Sequence, residues 1–175
     1  MPKSSSEIAA TLKRLADTEG PLSDAIELRQ ELSENIAFNL YGDGLREEGR
    51  QALLMRDALD QSLLSLTPEN IRDGDTSAIL FIKKSIALEM VAELMQILGK
   101  VYLESGGGRK SLKHGLLKLE VDADLFDRFP FSHQEMITEA AHGSSFFVMK
   151  RFHAIISMTE DMAHIIESQE DESEE

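Results

Sequence analysis

Apolar side chains in this chain recur mainly at three- and four-residue intervals, the period of helices that bury one side. Ile8, Leu12 and Leu15 share a stripe and predict a short helix from about Ser6. Gly20 and Pro21 end it, because neither residue sustains a helix interior. Leu22, Ile26, Leu32, Ile36 and Leu40 then line one face of a helix over about 23–41. The run "YGDGL" (Tyr41 to Leu45) breaks the chain. Ala52, Met55, Leu59, Leu63 and Leu66 align on the next helix, about 45–66, and the short connection predicts an antiparallel hairpin.

"LTPEN" (Leu66 to Asn70) carries a helix-start signal. Thr67 can cap the first turn, and Pro68 suits it because its missing N–H has no partner there. The longest apolar helix is expected over about 76–103. Its nonpolar arc covers more than half the circumference, with Ser85, Glu89, Glu93, Gln96 and Lys100 as the polar strip. A helix of that kind must be covered on several sides, by neighbouring helices or by a second copy. Gly106, Gly107 and Gly108 end it.

"LKLEVDADL" (Leu117 to Leu125) alternates apolar and charged residues, the period of a half-buried strand. The same residues on a helix over about 111–129 bring Leu116, Leu119, Ala123 and Phe126 together. The helix is favoured, because Asp and Ala form strands poorly and no partner strand is evident. Ser132 and Glu135 have the spacing of a capping box and open a long C-terminal helix, about 133–167, with a distortion expected at "HGSS" (His142 to Ser145). The pattern predicts an all-α bundle of five or six helices. Residues 6–167 form one domain between a disordered start (1–5) and a disordered acidic tail (168–175).

Composition narrows the function classes. The net charge is −14, and "SQEDESEE" (Ser168 to Glu175) is only part of it, so the body is acidic as well. Such a surface repels phosphates, which argues against nucleic acid and allows a basic protein partner. The chain has no cysteine, which removes disulfides and thiolate chemistry and fits a reducing, cytoplasmic setting. Lys83, Lys84, Glu89, Glu93 and Lys100 interrupt the most apolar stretch, so no membrane span is expected.

His142, His153 and His164 lie eleven residues apart. On one helix each interval is about 16.5 Å, too far for a shared metal ion, although the three fall on one side. Ion pairs with Glu139 and Glu160 on a solvated strip are the simplest reading. Glu160 and His164 could supply two ligands of a metal site completed elsewhere, or the strip could be a pH-sensitive contact surface. Glu139-x-x-His142 occurs once, without the second copy that a carboxylate-bridged metal pair needs.

"SGGGRKSLKH" has the wrong order for a nucleotide phosphate loop. A loose anion nest from Gly106, Gly107 and Gly108 with Arg109, Lys110 and Lys113 is conceivable; a flexible linker beside solubilising charges is the simpler account. Arg109 and His114 have R-x4-H spacing, which resembles the catalytic motif of HEPN-type helical ribonucleases. The resemblance covers these two residues, and it implies RNA cleavage by the pair. Lys110 stands where a small polar residue usually follows the arginine, and the glycines put the pair at a helix start. No cofactor or metal is expected.

Phe38 falls off the main apolar arc of its helix, and Phe146 lies near the histidine strip. Two outlying aromatics and the broad apolar helix predict a homodimer and a protein-interaction role rather than an enzyme. Eight methionines suit an adaptable contact surface and suit core filling equally.

Overall fold

The computed structural model describes Ser6 and residues 22–64, 76–144 and 147–173. Seven helices and no strand occur among the described residues. They are α1 (Leu22–Asn39), α2 (Arg46–Leu64), α3 (Thr76–Ser105), α4 (Arg109–Val121), α5 (Ala123–Phe126), α6 (Phe131–His142) and α7 (Val148–Ser173). The body of the helix expected from Ser6, the helix start at "LTPEN" and Phe146 lie outside the described residues. The packing divides into two compact units, 1–83 and 84–175, and the division falls inside α3.

In the first unit α1 and α2 pair as the predicted hairpin. Leu28, Leu32, Ile36 and Leu40 of the α1 side bury against Ala52 and Leu53. The buried stripe is rotated from the expected one: Leu28 is inside, whereas Ile26 is 43% exposed. The reason is polar. Arg29 donates to both carboxylate oxygens of Asp60, at 2.6 and 3.2 Å, and Arg56 donates to Ser33 at 3.2 Å. The seam therefore carries a fork-to-fork ion pair that an apolar stripe does not anticipate. Asn39 closes the turn by donating to Asn35 and accepting the Leu45 N–H. Gly49 lies under Leu40; a Cβ there would sit 2.6 Å from the Leu40 nitrogen. No side chain fits at that crossing without moving backbone.

In the second unit α4 packs on α6 and α7, and α6 packs on α7. Leu112, Leu116 and Leu119 repeat at helical spacing and are buried, so 117–121 is helix and the alternating pattern is not a strand. Ile137, Ala140 and Ala141 of α6 and Val148, Phe152 and Ile155 of α7 complete this core. The C-terminal end of α3 joins it: Tyr102 stacks on Phe152 with ring centroids 5.8 Å apart, and Gly115 of α4 lies close to Val101. Positive φ values at Gly106 and Gly107 end α3, a geometry other residues adopt at a cost.

The helix expected over 133–167 is two helices. Gly143 turns into extended backbone while its N–H still caps the Glu139 carbonyl at 2.8 Å. Lys113 donates to the Gly143 carbonyl at 2.7 Å, which anchors the break to α4. α7 runs to Ser173, past the expected end near 168, and has no basic residue in its last turn.

Candidate functional site

The break at Gly143 separates His142 from the other two histidines. His142 is the last residue of α6, and His153 and His164 belong to α7. Each has its own surroundings. His142 Nε2 lies 2.7 Å from Glu120 of α4, not beside Glu139, which pairs with Arg151 at 3.3 Å. The exposed His153 ring meets Phe152 edge-on, with centroids 6.4 Å apart. His164 is almost wholly in solvent, 3.9 Å from Glu167 rather than paired with Glu160. Among the described residues no group of three or more His, Asp or Glu is placed to hold a metal.

Arg109, Lys110 and His114 all lie on the exposed part of α4. Arg109 and His114 are five residues apart on a helix, which directs them about 140° apart around its axis. The helix thus spreads this pair. Lys113 is engaged with the Gly143 carbonyl, so it does not join Arg109 and Lys110 around the glycine run.

His133 was not anticipated. Its ring is 1% exposed, and Nδ1 has no hydrogen-bond partner. Burial lowers its pKa below the ordinary 6.5, because a charged imidazolium is poorly solvated there. In the sequence it reads only as a polar residue in a capping turn.

The apolar surface is more informative. Phe38 is 52% exposed beside the α1–α2 turn. α3 has two different sides. Ile86, Val91, Leu94, Ile97 and Leu98 are buried, so one side is covered as its composition predicts. On the other, Leu88 and Met95 are half-buried, Ala92 and Gly99 are exposed, and Tyr102 and Leu103 are 39% and 79% exposed. The polar strip read from the sequence is not what faces water throughout: Glu93 is buried. Among the described residues, a Cβ built on Gly99 would meet nothing within 4 Å.

No helix among the described residues is long and apolar enough to cross a membrane. Comparison with protein-family models, curated proteins and solved structures finds no match to this chain.

Proposed function

We propose that this chain is a non-enzymatic, acidic protein-interaction module. Its role is that of an adaptor, regulator or chaperone-like protein, acting as a homodimer on another protein in the cytoplasm. The supporting observation is the outer face of α3, where apolar residues reach solvent beside a well-packed inner face. Soluble folds rarely leave such a continuous face open without a use for it. The acids of the C-terminal helix, with no Lys or Arg after Arg151, favour a basic client.

Photo-crosslinking tests this reading. A photoreactive amino acid at Leu103, and separately at Phe38, is expected to give discrete adducts with a polypeptide in the native cell. Absence of any adduct at both positions overturns it. So does stoichiometric metal in the purified protein, or RNA cleavage that disappears in His114→Ala.

A further inference from the structure

α6 is held differently at its two ends. At the last turn His142 Nε2 lies 2.7 Å from Glu120 of α4, and Lys113 of α4 donates to the Gly143 carbonyl at 2.7 Å. At the start Pro130 gives the first turn no side-chain cap, and Gln134 reaches back only to the Phe126 and Phe129 carbonyls just before the helix. His133 sits in that first turn, 1% exposed, with Nδ1 lacking a hydrogen-bond partner. An imidazolium carries hydrogen on both ring nitrogens and needs an acceptor for each. The closed site offers none to Nδ1, so the ring is neutral while it is buried.

The charged groups around α6 do not change this. On α4 the half-buried ones are Lys113 and Glu120, and both are engaged at the other end of α6. His142 is about 13.5 Å along the axis from His133 and on the opposite side of the helix. Arg109, Lys110, His114 and Lys118 of α4 are exposed, as are the titratable residues of α7 from Lys150 to Glu167. The buried residues of α7 are Val148, Phe152, Ile155 and Thr159, and the Thr159 hydroxyl donates to the Ile155 carbonyl at 2.9 Å. On α6 itself Glu135 and Glu139 are exposed. In the connection before it, Asp127 is exposed and Asp122, Asp124 and Arg128 have interactions of their own; so does Glu93 of α3, the buried acid of this unit among the described residues.

We propose that α6 is an acid-released element: as the pH falls, proton uptake by His133 favours a state in which the first turns of α6 have left α4 and α7, and they return when the pH rises. The ties at Lys113 and Glu120 keep the far end in place, so release starts at the uncapped end. Burial lowers the His133 pKa below 6.5, whereas the released ring takes up its proton near that value. Each pH unit below 6.5 therefore favours release by up to about tenfold, until the closed ring also titrates. Release uncovers apolar side chains of the α4 and α7 sides of the core, surface that the closed unit hides.

This inference goes beyond the interaction reading above and is tested on the protein alone. Hydrogen exchange of the full chain is followed by mass spectrometry from about pH 7.5 to 5.5, with rates corrected for the intrinsic effect of pH. Peptides covering 131–139 should lose protection by about tenfold more than peptides of the α1–α2 hairpin. His133→Gln, which cannot take up a proton, should abolish that selective loss, and His142→Gln should retain it. No loss in α6, or an equal loss in the hairpin, overturns the proposal. So does a selective loss that survives in His133→Gln or vanishes in His142→Gln. Should His133→Gln not fold, the His133 ring resonances of the unmodified protein decide: they should titrate together with the loss of α6 protection, and a ring that titrates while α6 stays protected overturns the release.

Discussion

Gly49 and Gly99 are both interior to helices, and they differ in what stands beside them. At Gly49 the backbone of Leu40 is close enough that no Cβ fits. At Gly99 no described residue comes within 4 Å of where a Cβ would sit. Gly49 is explained by the hairpin it belongs to; among the described residues nothing packs closely against Gly99. The two faces around them differ in the same way. In the α1–α2 seam the buried Arg29 is held by Asp60, whereas on the outer face of α3 Tyr102 and Leu103 reach solvent. The first surface is closed by packing within the hairpin; the second keeps apolar side chains at the surface.

Breaking the finished seam should have the largest effect. Asp60→Ala leaves the Arg29 guanidinium buried without its counterion and should cost about 3–5 kcal/mol, read from urea denaturation. A loss below 1 kcal/mol would mean that water reaches Arg29 and that the seam is looser than the hairpin requires. Gly49→Ala forces a methyl group into the Leu40 backbone and should cost about 1–3 kcal/mol by the same measurement. Gly99→Ala is its counterpart. In dilute monomer it should raise stability by up to about 1 kcal/mol, since the helix gains propensity and nothing is displaced. If both alanine variants shift stability in the same direction, the contrast between the two glycines fails.

Acid should act on the second unit through His133. Its folded pKa lies below that of the unfolded chain, so the unfolded state takes up a proton that the folded state refuses. This contribution is fully present above pH 6.5, and it is lost as the pH falls from there through the folded value. His133→Leu should flatten that part of the stability profile. The smallest effect belongs to His142→Ala, which removes an ion pair with Glu120 at a largely exposed ring and should cost less than about 1 kcal/mol.

Much of the helical order was legible because apolar residues repeat with the helical period over long stretches. Leu32, Ile36 and Leu40 identified the inner face of α1, and Leu112, Leu116 and Leu119 settle α4 as helix. The rotation of the hairpin seam was hidden, because a charged residue such as Arg29 reads as exposed unless its partner, 31 residues away, is known to face it. The break at Gly143 was anticipated only as a distortion, since apolar residues on both sides keep nearly the same phase. The break exposes Phe147, which one continuous helix would have placed with the core. The candidate site was half legible. Composition pointed to α3, but the exposed side depends on which neighbours cover the other, and no local pattern carries that. The three histidines are exposed, as a solvated strip requires, but only His153 and His164 keep the eleven-residue interval on one helix, because the break at Gly143 falls between His142 and His153.

The end of α7 carries a consequence of its own. Backbone dipoles in a helix add up to a partial negative charge at the C-terminus, where cations are favoured. The sequence of α7 instead puts Glu167, Glu170, Asp171 and Glu172 in its last turns, and no lysine or arginine belongs to the last turn. This terminus holds its coil against its own electric field, so it should wind tighter when mobile ions, or the positive side chains of another molecule, gather around it.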